Sequence, residues 1–107
     1  IKVLRFPYAG NDRAQAERAT QGLVKVIVGT GGRILGAGIV GAQAGELIHP
    51  WCLAISRGLK IGAMATPTLP YPTLGEVSKR AAGSYYTEAL FGPRVKALVK
   101  LKLWLTR

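Results

Sequence analysis

Strand-like and helix-like patterns occupy separate stretches of this chain, and the class they predict is α+β. The first observation is the stretch "GLVKVIVGTGGRILGAGIVG", where two β-branched-rich runs are separated by Gly29, Thr30, Gly31 and Gly32. Glycine accepts the positive φ that a tight turn requires, so the two runs should pair as an antiparallel hairpin. The second is a change of hydrophobic period after Ala44, with Leu47, Trp51, Ala54 and Ile55 recurring at helical spacing. The third is size and composition: 107 residues, 49% hydrophobic and 19% charged, suit a single domain with a real core and not a disordered chain.

Taken in order, "IKVLRFPY" reads as a first strand, and "NDRAQAER" as a short helix capped by Asn11 or Asp12. In the hairpin, Val24, Val26 and Val28 share one face of the first strand. In the second strand Leu35, Ala37 and Ile39 share one face, and Ile34, Gly36, Gly38 and Val40 the other. A helix is predicted from about Ala44 to Arg57, with Gly58 as its C-terminal cap. Pro50 lies inside that span and should kink or weaken it by up to about 3 kcal/mol unless it falls in the first turn. "TPTLPYPT" must be extended, because its prolines cannot donate to a ladder. Thr73 and Glu76 then form the TxxE pattern of a capping box, opening a helix through "EVSKRAAGSYYTEALF" in which Gly83 is a candidate break. Pro93 starts the last segment, where "VKLKLWL" alternates with period two while Val95, Leu98, Val99 and Leu105 fall on one side of a helix.

The formal net charge is +10, and Arg94, Lys96, Lys100, Lys102 and Arg107 gather in segment 93–107 with no acidic residue among them. No base-stacking cluster of aromatics stands beside the basic residues, which disfavours an RNA-binding surface. A basic tail instead suits peripheral contact with an anionic membrane. The alternative function is therefore a stand-alone basic module on membrane or nucleic acid. No apolar run reaches the roughly 18 residues that a spanning helix needs. Ile1 opens directly in a strand pattern without a methionine or leader, so a piece of a longer protein is expected.

"GAGIVG", from Gly36 to Gly41, matches the dinucleotide signature GxGxxG. It lacks the strand, turn and helix around it, and Ser56 stands where the acidic residue should be. The expectation is a strand whose small residues let a helix or another backbone approach. Cys52 is expected as a small core residue in a reducing compartment, and His49 as a helix-surface or capping residue. One histidine and one cysteine fall short of a zinc site, so no metal is expected.

Three motifs in fixed order, "GGRILGAGIVG", "AGELI" and "PYPTLGE", resemble the C-terminal dimerisation domain of the pyridine nucleotide-disulfide oxidoreductases. This is the flavoenzyme family of dihydrolipoamide dehydrogenase, glutathione reductase and mercuric reductase. The resemblance covers nearly the whole chain and implies an antiparallel sheet with helices packed on it, one interface domain over residues 1–107. It implies that FAD-binding and NAD(P)-binding domains lie upstream, that this stretch binds neither cofactor alone, and that it is inactive alone. It also implies a homodimer, cytoplasmic, in which this domain reaches into the partner's active site, with self-association through the sheet and the helix after Thr73. In many members a histidine directly before the Pro-Thr pairs with the motif's glutamate to move protons. Glu76 stands at that glutamate, Tyr71 occupies the histidine's place, and Leu69 the place of an earlier histidine. Tyr71 and Glu76 are thus the expected catalytic residues. A tyrosine there resembles mercuric reductase, whose C-terminal cysteine pair has no counterpart in "LKLWLTR". With an ordinary pKa of about 10, a phenol is a hydrogen-bond donor but a poor base at neutral pH.

Overall fold

A computed structural model gives the structure of residues 1–90, and segment 93–107 lies outside the described residues. Three strands, β1 (Lys2–Pro7), β2 (Gly22–Val28) and β3 (Ile34–Gly41), form an antiparallel sheet in sequence order. Alternation decides which face is buried. The cross-strand rows Leu4, Val26, Ala37 and Phe6, Val24, Ile39 face the core. The rows Val3, Ile27, Gly36 and Arg5, Lys25, Gly38 face outward. The hairpin turn sits on Gly31 and Gly32, both at positive φ, as the glycine run predicts.

One face assignment needs correction. Ile34 pairs with Val28 and Gly36 with Ile27, so the ladder shifts by one residue and Leu35 is the extra residue of a bulge. Ile34 therefore turns inward to join Ala37 and Ile39, while Leu35 is left exposed.

Helices cover the buried face. α1 (Asp12–Ala16) follows β1, and α2 (Ala44–Leu47), α3 (His49–Ser56) and α4 (Gly62–Ala65) lead into α5 (Glu76–Leu90). The predicted single helix over 44–57 is split at Ile48, whose backbone stays helical, so Pro50 falls in the first turn of α3 where its missing N–H costs little. α3 ends as predicted: Gly58 has φ +65°, its N–H reaches the Ile55 carbonyl at 3.1 Å, and the Leu59 N–H reaches that of Ala54 at 2.9 Å. α4 has no counterpart among the predicted elements. α5 runs unbroken through Gly83.

Trp51 and Ala54 of α3 belong to one buried core with Val77, Ala81 and Ala82 of α5, and the Trp51 Nε1–H donates to Ser78 Oγ at 2.9 Å. The indole is fully buried, and that bond satisfies its only polar group. Cys52, one position on from Trp51, points away from this contact and is exposed, contrary to the expected core cysteine. The close approach expected at "GAGIVG" is also narrower than predicted. Among the described residues nothing lies within 4 Å of a side chain added at Gly36 or Gly38, whereas at Gly41 a Cβ would sit 2.7 Å from the Tyr8 ring at φ +142°. Only the last glycine of the three is demanded by packing here.

Candidate functional site

Asn11, the residue before α1, organises the region around "PYPTLGE". Its Oδ1 accepts from the Ala14 N–H at 2.9 Å, the N-cap bond that the sequence predicts. Its Nδ2 donates to the Thr73 carbonyl at 3.0 Å, across 62 positions of chain. A side chain only 3% exposed thus ties the start of α1 to the loop before α5. Because Asn11 takes the cap, the carboxylate of Asp12 is left for another partner. That partner is Tyr71, whose hydroxyl donates to Asp12 Oδ2.

The capping box does not form. The Thr73 hydroxyl donates back to the Pro70 carbonyl at 2.9 Å, and the first turn of α5 is closed by backbone bonds, among them Val77 N–H to the Leu74 carbonyl at 3.0 Å. The rigid loop therefore uses its threonine to hold its own turn, with the Tyr71–Pro72 peptide bond in the cis form.

Gly10, Asn11, Asp12, Tyr71, Glu76, Lys79 and Arg80 line an open cleft of about 350 Å³. The helical spacing of Glu76, Lys79 and Arg80 puts a carboxylate and two cations on one side of α5. Arg80 is steadied from behind, its guanidinium 5.5 Å from the centre of the Phe6 ring. Both expected site residues thus meet at one cleft, but the hydrogen-bonded partner of Tyr71 is Asp12 and not Glu76. The hydrogen bond to Asp12, then the charge of Asp12, raises the Tyr71 phenol above its ordinary pKa of about 10, and the charge of Glu76 adds to this. At neutral pH it is a phenol whose proton is directed at a carboxylate.

Leu69, at the place of the earlier histidine, lines a second, apolar cleft of about 200 Å³ with Leu47, Pro50 and Met64. His49 is exposed at the first residue of α3. Among the described residues no group of three or more His, Cys, Asp or Glu is placed to hold a metal ion, and no helix is long and apolar enough to cross a membrane. The contact made by Asp12 had no signal in the sequence: "NDRAQAER" shows a helix start, but nothing in it says which of the two side chains reaches a loop 59 positions away.

The model of the family described as "Pyridine nucleotide-disulphide oxidoreductase, dimerisation domain" matches residues 1–82. The chain belongs to this family. Among curated relatives, the dimerisation domain is 36% identical over 90 residues to dihydrolipoamide dehydrogenase of Chaetomium thermophilum, covering 83% of this chain and 18% of that protein. It is 38% identical over 81 residues to the mitochondrial dihydrolipoyl dehydrogenase of Sus scrofa, covering 75% of this chain and 16% of that protein. Of solved structures, LpdA from Mycobacterium tuberculosis superposes with a TM-score of 0.72 at 27% identity, over 78% of this chain and 18% of that one. The flavoprotein disulfide reductase RclA from Escherichia coli, at 24% identity and a TM-score of 0.72, shares the fold over 78% of this chain and 19% of its own. The chain therefore spans under a fifth of the length of these proteins. The dimerisation-domain family accounts for the α+β architecture predicted for the sequence, and it favours that reading over a stand-alone basic module.

Proposed function

We propose that this domain completes the active site of a partner subunit in a homodimeric, FAD-dependent and NAD(P)H-linked disulfide oxidoreductase, contributing Tyr71 and Glu76. The observation that carries this is the cleft where both residues meet: Tyr71 is 69% exposed, yet its hydroxyl is fixed by a side chain of another element. An exposed aromatic ring held in one orientation is suited to meet a group arriving from outside the domain.

Neither dinucleotide finds a cradle among the described residues. The GxGxxG stretch runs along β3, paired throughout with β2, and leads into a four-residue helix that begins at Ala44. A pyrophosphate needs glycines in a turn at a helix N-terminus. FAD and NAD(P) would therefore be held by other segments of a longer chain, where they supply the electron transfer. The contribution of this domain is hydrogen bonding and charge at the rim of the site, through the Tyr71 oxygen and the Glu76 carboxylate.

The test is the full-length parent protein. It should purify as a dimer with bound flavin and reduce lipoamide with NADH or NADPH, and Tyr71→Phe should lower that reduction about tenfold or more at unchanged flavin content. A parent that never carries flavin would sink the reading.

A further inference from the structure

We infer that Asp12 is the acidic partner that positions Tyr71, so that the working pair at this cleft is a phenol with a carboxylate from α1 and not with Glu76. The inference rests on the function proposed above and names a residue outside the "PYPTLGE" motif. Four observations lead to it. Tyr71 donates its hydroxyl hydrogen to Asp12 Oδ2. Glu76 lines the same cleft but shares no hydrogen bond with Tyr71 among the described residues, acting on it only through its charge. Asp12 is available because the neighbouring Asn11 makes the N-cap bond to Ala14. The loop is within its reach because that same Asn11 holds the Thr73 carbonyl.

The chemistry that follows differs from free phenol chemistry. An ionised carboxylate only accepts hydrogen bonds, so the hydroxyl hydrogen of Tyr71 is committed to Asp12. The lone pairs of the phenol oxygen are then what the ring offers to the cleft. Such a site receives a donor, the S–H of a protonated dithiol, in preference to a thiolate. Lys79 and Arg80, on the α5 side of the cleft, remain to meet negative charge, and Asp12 and Glu76 are its carboxylates. Asp12 in the first turn of α1 also sits where a negative charge is favourable.

A double-mutant cycle on the flavin-loaded parent tests this, with lipoamide as the probe. Asp12→Ala should lower kcat about tenfold with KM changed by less than about twofold, and in a Tyr71→Phe background the same substitution should cost less than about twofold. Asp12→Glu should recover most of the loss. If Asp12→Ala costs the same factor in both backgrounds, its role is structural and the inference fails. If it costs nothing in either, the inference fails as well. A second readout needs no turnover: in parent protein carrying ¹³C-labelled tyrosine, the resonance lost in Tyr71→Phe should titrate about 0.5 or more lower in pH in Asp12→Asn. An unmoved midpoint means that the pair does not form. A parent without flavin, or a fully active Tyr71→Phe, overturns the proposed function, while this titration still decides whether Asp12 holds Tyr71.

Discussion

The sheet and the loop before α5 are held in place by different physics. In the sheet, Leu4, Val24, Val26 and Val28 are buried against Trp51, Val77, Ala81 and Ala82, and the holding energy is apolar area removed from water. In the loop, Tyr71 and Pro72 are exposed, and shape comes from single hydrogen bonds at Asn11, Asp12 and Thr73. A core of many small contacts tolerates loss in increments. A loop hung on a few bonds does not, and it answers to substitutions that leave the core intact. The region proposed to carry chemistry is therefore the one whose stability is cheapest to remove.

The comparison can be broken most severely from the core side. Trp51→Ala removes the largest fully buried side chain among the described residues and strands the Ser78 hydroxyl, so urea unfolding of the chain should show a loss of about 3–5 kcal/mol. Next comes Gly41→Ala, which puts a Cβ 2.7 Å from the Tyr8 ring at φ +142°. A loss of about 2 kcal/mol is expected, through strain and overpacking. Gly38→Ala, with nothing within 4 Å among the described residues, should leave stability unchanged or raise it by about 0.5 kcal/mol. Equal effects at the two glycines would show that the strand, and not its contact with Tyr8, sets the requirement.

Asn11→Ala tests the loop side. It removes both the cap of α1 and the tether to Thr73, at an expected cost of about 1–2 kcal/mol. Hydrogen exchange should rise around residues 70–75 more than in the sheet. The smallest effect is alkaline. Since folding raises the Tyr71 pKa, the unfolded chain loses its phenol proton first. The contribution of that group is thus fully present below pH of about 10 and lost as pH rises through the folded-state value. Asp12→Asn should remove part of this alkaline slope, measured as midpoint against pH.

Most of the fold was legible because it follows from period and turn chemistry. The Gly29–Gly32 hairpin, the alternation of Val24, Val26 and Val28, and the cap at Gly58 are local rules obeyed locally. The misses share a cause. Leu35 and Ile34 exchanged faces because a bulge shifts register by one residue, and strict alternation does not foresee bulges. Cys52 looked like core by composition, but its neighbour Trp51 takes the inward direction on a helix where adjacent residues diverge. Thr73 and Glu76 had capping-box spacing, but the hydroxyl had a nearer acceptor at Pro70. At the candidate site, Tyr71 and Glu76 were placed by the motif, whereas Asp12 depended on a contact between distant segments.

The grip of Asn11 on this loop is on a main-chain oxygen, that of Thr73. A bond to the backbone does not register which side chain stands two residues earlier. The mount therefore has one hold that does not read the side chain at position 71, beside the Tyr71–Asp12 bond that does. Exchanging Tyr71 should then cost the bond to Asp12 but leave the tether from Asn11 to Thr73, so that part of the loop's seat beside α1 survives changes at position 71.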